Sequence, residues 1–109
     1  MVVQVIWQKD ALGELQQALR YGQENFGRQV MERFYEQISK CEILLAANPY
    51  MGSLEPLLAE RQTPYRSLVV HEHYKLIYWL DEKKEILYVS DLWDTRKEPR
   101  SLIEGTPNK

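Results

Sequence analysis

The last part of the chain alternates hydrophobic runs with charged turns: residues 65–70, 74–80 and 86–93 are rich in Tyr, Val, Ile, Leu and Trp. Runs of about 5 to 8 residues with this β-branched and aromatic content fit strands better than helices. The connections are Glu72-His73 and Asp81-Glu82-Lys83-Lys84. Connections so short join only antiparallel neighbours, so the three runs predict a meander.

The first half follows another period. Residues 2–7 form a further apolar run with strand character. Beyond it Ala11, Leu15, Leu19, Gly22 and Phe26 recur at helical spacing, with Asp10 placed to cap the start. Gly27 interrupts the pattern, and Val30, Met31, Phe34, Ile38, Cys41 and Leu45 then draw a second stripe that stops before Asn48-Pro49. Two amphipathic helices with so short a link pack antiparallel. Residues 49–64 carry Pro and Gly punctuation together with Tyr50, Met51, Leu54, Leu57 and Leu58, which predicts an ordered loop lying on the body with room for one helical turn.

The expected fold is α+β in one domain over residues 1–100: an N-terminal strand, then an antiparallel two-helix hairpin packed on an antiparallel β-sheet that the C-terminal three-strand meander completes. Residues 101–109, with Gly105, Pro107 and Asn108 and little to bury, are expected to be a flexible tail. A hairpin on one face of a twisted four-stranded sheet leaves the other face open, and function carried by the sheet is expected there.

Composition narrows the classes. A chain of 109 residues holds one modest core without metal or disulfide support. The lone Cys41 has no internal partner, and the N-terminus has neither the basic start nor the long apolar core of a signal peptide, so a cytoplasmic location is expected. No apolar run approaches the roughly 20 residues of a bilayer span, which argues against a membrane role. With 14 basic against 16 acidic residues the net charge is −2, and the signs are interleaved from Tyr65 onward. That balance leaves room for a local basic pocket and argues against a broad nucleic-acid face.

Arg66 and Lys75 are the cations inside strand patterns. If Glu72-His73 is a two-residue turn, Arg66 opposes Trp79 and Val70 opposes Lys75, which puts both cations on one face with Leu68 and Ile77; a one-residue slip separates them. Arg96, just beyond the last strand, either closes a cationic pocket beside Lys75 or clasps Asp94. His71 and His73 form an H-x-H that would need at least one more ligand to hold a metal, and Cys41 lies in an apolar stripe that reads as core and raises a thiol pKa, so neither metal nor cofactor is expected. Trp79 and Trp93 are candidate contacts for a partner, and Tyr74, Tyr78 and Tyr88 are candidate proton-transfer groups as well as candidate core.

Three words carry a family resemblance: Tyr65-Arg66-Ser67-Leu68, His73-Tyr74-Lys75-Leu76-Ile77-Tyr78 and Leu92-Trp93-Asp94-Thr95-Arg96-Lys97-Glu98-Pro99. In this order and spacing they resemble the C-terminal half of the RelE/ParE superfamily of toxins from type II toxin–antitoxin, or plasmid stabilisation, systems. The preceding strand and helical hairpin extend the resemblance over nearly the whole chain.

The resemblance implies a cognate antitoxin as partner, in a toxin–antitoxin hetero-oligomer, and one of two targets. On the ParE side the target is DNA gyrase and the toxin performs no chemistry. On the RelE side the target is mRNA on the ribosome, and Arg66, Lys75 and Arg96 fall where the nucleases keep the cations that stabilise phosphate during attack by a 2′-hydroxyl. Leu68 stands where some of those nucleases have a lysine, and residues 97–103 contain neither Tyr nor His. The missing proton-transfer group and the acidic balance favour the ParE side; a relative that only binds antitoxin is the third reading. For antitoxin or target contact the resemblance points to Arg66, Lys75, Trp79, Trp93 and Arg96.

Overall fold

The computed structural model describes residues 1–106. In chain order the elements are β1 (Gln4–Trp7), α1 (Lys9–Phe26), α2 (Arg28–Ala47), β2 (Ser53–Leu54), a single 3-10 turn (Pro56–Leu58), β3 (Arg66–His71), β4 (Tyr74–Asp81), β5 (Ile86–Asp94) and α3 (Pro99–Gly105). The sheet order is β1-β5-β4-β3-β2, with β1 parallel to β5 and all other neighbours antiparallel. The architecture is α+β, with the expected helical hairpin and meander. The sheet is mixed rather than antiparallel as expected, because β1 runs parallel to β5, and it has five strands because Ser53 and Leu54 of the predicted loop pair with Ser67 and Arg66.

The hairpin turns where a glycine is required. Gly27 has φ 89° and ψ 169°, a region essentially closed to residues with a Cβ, so α1 ends and α2 begins on adjacent residues. Asp10 lies inside the first turn of α1, behind the N-cap Gln8, where its charge still meets the positive end of the helix dipole. Ala11, Leu15, Phe34, Ile38 and Leu45 pack with Leu76, Tyr78, Leu87, Val89 and Leu92 to form the main core between the hairpin and one sheet face.

The opposite face is not left open. Leu58 of the 3-10 turn and Leu102 of α3 pack with Tyr65, Ile77 and Trp93 in a second core, so Leu76, Ile77 and Tyr78 are fully buried although they point alternately to the two faces. The stretch expected to be a tail from Ser101 therefore contributes a helix through Gly105; positions 107–109 of that expectation lie outside the described residues. Arg61 fixes α3 from the loop, its guanidinium donating to the carbonyls of Ile103 (2.6 Å) and Thr106 (3.4 Å) at the helix C-terminus. Truncating the fully buried Leu102 to alanine is expected to lower stability by about 2 kcal/mol, the low end for a core leucine because a short terminal helix can settle inward. A shift in urea midpoint at constant m-value checks this.

Two bulges set the register. The β3–β4 hairpin starts as the two-residue turn predicts, with His71 opposite Tyr74. Val70 is then extra, and Val69 opposes Lys75 and Arg66 opposes Tyr78. A second shift across β4 and β5 leaves Ser90 extra, between Tyr78↔Val89 and Ile77↔Asp91.

Candidate functional site

The slip at Val70 decides where the cations go. Arg66 shares a face with Tyr78, while Lys75 shares the other with Ile77 and Trp93, so the expected common face for Arg66 and Lys75 is corrected. Each cation is also engaged. Arg66 donates to the Gly52 carbonyl at 2.7 Å and lies over the Tyr50 ring, 5.3 Å from its centroid. Lys75 is ion-paired with Glu55, whose side chain is only 1% exposed. Burial alone would push the Glu55 carboxyl up, but hydrogen bonds from Lys75 and the Leu57 amide outweigh it and hold the group below its ordinary value. Arg96 is exposed and clasps Asp94 through both Nε (3.1 Å) and Nη2 (3.0 Å), the structural alternative weighed from the sequence.

The aromatic candidates divide between core and rim. Trp93 is 6% exposed in the second core, with the Lys97 ammonium 5.9 Å above its ring. Trp79 is half-buried and stacks on Tyr88 with 4.6 Å between centroids. Tyr78 is fully buried; its hydroxyl accepts from the Gly52 N–H and donates to the Pro49 carbonyl. Tyr74 packs edge-on to Phe34 and lines a shallow cleft with Tyr21, Asp94, Arg96 and Lys97. Burial is the main influence on both Tyr74 and Tyr78 and pushes their phenols up, so neither is set to accept a proton at neutral pH. His71 meets Phe34 edge-on, and among the described residues no group of three or more His, Cys, Asp or Glu side chains is placed to hold a metal ion. Cys41 is half-buried and its thiol is pushed up by desolvation.

A further titratable group lies elsewhere. A cleft of about 750 Å³ runs between the N-terminal half of α1 and one side of α3, with Ser90, Asp91 and Trp93 of β5 at its base and Lys97 at its rim. Burial, then the charges of Glu14 and Asp10, raise the Asp91 carboxyl to about 6, against the opposing pull of Lys97 and the Leu92 amide. Sequence reading missed Asp91 and Glu55. The available signals were an acid inside the apolar run 86–93 and another flanked by Leu54 and Pro56-Leu57-Leu58.

With this architecture in view, the comparison with known families is decisive. The sequence matches the family described as ParE toxin of type II toxin-antitoxin system, parDE, over residues 5–99. The chain belongs to the ParE toxin family. That places it in the RelE/ParE superfamily, as the strand words of residues 65–99 imply. The ParE fold is also seen in a solved chain titled chromosomal ParDE TA system from P. aeruginosa, which superposes with a TM-score of 0.66 over 85% of this chain and 96% of that one at 12% identity. At that identity the likeness is one of fold. No curated protein matches the sequence. No helix among the described residues is long and apolar enough to cross a membrane.

Proposed function

We propose that this ParE-family chain is a cytoplasmic toxin that acts by binding DNA gyrase and is neutralised by a cognate antitoxin. The observation that carries the reading is the separation of the three cations. Lys75 is tied to Glu55 on one sheet face, Arg66 to the Gly52 carbonyl on the other, and Arg96 to Asp94 beyond β5. Phosphoryl chemistry requires cations preorganised around one charge and a group poised to move a proton. This arrangement favours a toxin that works by occupancy. An antitoxin adds the apolar area that exposed side chains such as Tyr21, Phe26, Ile43 and Val69 invite.

The mRNA endonuclease reading retains one supporting contact, Arg96 beside Tyr74. The two are separated by inducing the chain without antitoxin and following thymidine and amino-acid incorporation in parallel, together with plasmid supercoiling by purified gyrase. The expected result is an early fall in DNA synthesis and blocked supercoiling, unchanged in folded Arg96→Ala. Uninhibited gyrase at high protein excess, with protein synthesis falling first and Arg96→Ala inactive, establishes the nuclease instead.

A further inference from the structure

Charge is absent from two stretches of the chain, and the fold brings them together. Residues 1–8 and 43–54 contain no Asp, Glu, Lys or Arg, in a sequence that is 28% charged. Val3 donates its amide to the Ala46 carbonyl at 2.9 Å, which lays the N-terminus along the last turn of α2 and joins the two stretches in one surface. Its exposed apolar members are Met1, Val2, Ile43, Leu44, Tyr50 and Met51, and Val2 (76%) and Ile43 (71%) are the most exposed large hydrophobic side chains among the described residues. Depletion of charge, with Tyr and Met in its place, is the composition of an interface centre rather than of a solvated face.

The surface is rigid. Tyr78 holds the Pro49 carbonyl and the Gly52 amide, Arg66 holds the Gly52 carbonyl, and the Met51 amide turns back onto the Asn48 carbonyl at 3.0 Å. Tyr50 and Met51 are therefore presented outward on a backbone ordered before any partner arrives, which lowers the cost of association. The relief is self-complementary. A shallow cleft of about 450 Å³ opens between Met1, Ala47, Asn48, Pro49, Tyr50 and Met51, and Ile43 protrudes one helical turn before Ala47. A knob and a hollow side by side on one patch are what a contact between two identical copies requires, since a twofold axis between them sets each knob in the other copy's hollow. The exposed fractions of the six apolar residues amount to about 600 Å², the upper end for a patch that a monomer leaves bare and most of the roughly 800 Å² per partner of a stable interface. The rim carries both signs, with Arg66 over the Tyr50 ring and Glu82 near its hydroxyl, so it lacks the single-sign field that would drive two copies apart.

We infer that the end of α2 and the loop that follows it, residues 43–51, form with Met1 and Val2 a homodimer interface in which Ile43 of each copy fills the cleft of the other. The inference goes beyond the proposed function and holds for either target. In the free toxin it withdraws Ile43 from the apolar surface open to an antitoxin and leaves Tyr21, Phe26 and Val69.

Sedimentation velocity of the full chain without antitoxin, across concentrations of about 1–200 μM, is expected to show a monomer–dimer equilibrium with a Kd on the order of 10 μM, the weak end for a contact of this size. Ile43→Lys puts an unpaired charge at the centre and should weaken the dimer at least about thirtyfold; Met51→Lys, on the wall of the cleft, should act in the same direction should Ile43→Lys fail to fold. Val69→Lys is the control. Val69 is 69% exposed on β3, outside both uncharged stretches, and this variant should dimerise like wild type. A wild type that stays monomeric over the whole range, a folded Ile43→Lys or Met51→Lys that dimerises like wild type, or a dimer broken by Val69→Lys each overturns the inference. A monomeric wild type whose residues 43–51 gain amide protection only when antitoxin is added overturns it as well, and assigns the patch to that partner.

Discussion

Replacing Lys75 with methionine is expected to cost about 3–5 kcal/mol, a large share of the roughly 5–15 kcal/mol that holds a small domain together. The reason lies with its partner. Glu55 is the N-cap of the 3-10 turn, its Oε2 accepting from the Leu57 N–H at 2.9 Å, and its side chain is 1% exposed against 18% for Lys75. Removing the ammonium leaves a buried carboxylate with only the Leu57 amide and the Ser67 hydroxyl as donors, which must either stay charged in a dry site or take up a proton. The double variant Glu55→Leu with Lys75→Met removes both charges and should recover most of the loss, because the net worth of a buried pair is far smaller than the cost of breaking it. Urea titrations of the wild type and these two variants at pH 7 read both effects as midpoint shifts at constant m-value. The pH dependence has a definite sign. The folded Glu55 carboxyl is held below its ordinary value, so its stabilisation is present above the unfolded pKa and is lost as pH falls through the lower folded value. Acid lability in that window should be present in wild type and reduced in the double variant, which keeps the contribution of Asp94, also held low by Arg96. A Lys75→Met midpoint within 1 kcal/mol of wild type, or a double variant weaker than the single, defeats this account of the pair.

The same residues explain what could be read from the sequence. Helix stripes and strand runs state which side chains want burial, and from them the hairpin, the meander and the α+β class follow. A bulge is not written in that alphabet. Val70 continues the apolar run of β3 without a break, so nothing local marks it as the extra residue, yet it moves Arg66 from opposite Trp79 to opposite Tyr78 and sends the two cations to different faces. Leu102 was likewise hidden. One leucine within a polar stretch has no periodicity, and its burial depends on a second-face core assembled from Leu58, Tyr65, Ile77 and Trp93, which lie far apart in sequence. Glu55 and Asp91 become conspicuous only once the elements that bury them are in place. What the sequence could not express was chiefly tertiary electrostatics, and the candidate site is made largely of that.

Tyr78→Phe is the second large effect, expected at about 3 kcal/mol although it removes a single oxygen. That hydroxyl is fully buried and joins two backbone groups of the segment leaving α2: it accepts from Gly52 N–H at 2.9 Å and donates to Pro49 C=O at 3.0 Å. Phenylalanine leaves both unpaired in a dry interior, at about 1–3 kcal/mol for each stranded group. The loop is held a second time by Arg66, which donates to the Gly52 carbonyl and covers Tyr50, so the effects of Tyr78→Phe and Arg66→Ala should be non-additive. Hydrogen exchange offers the more local reading. Amides of residues 50–54 should lose protection in Tyr78→Phe well before those of β4 and β5, because the lost bonds tie the loop to the sheet and leave the ladder itself intact. If those amides keep wild-type protection while the whole sheet weakens, Tyr78 acts through packing alone and its hydroxyl is not the tie that positions Arg66 and Tyr50 at the edge of the sheet.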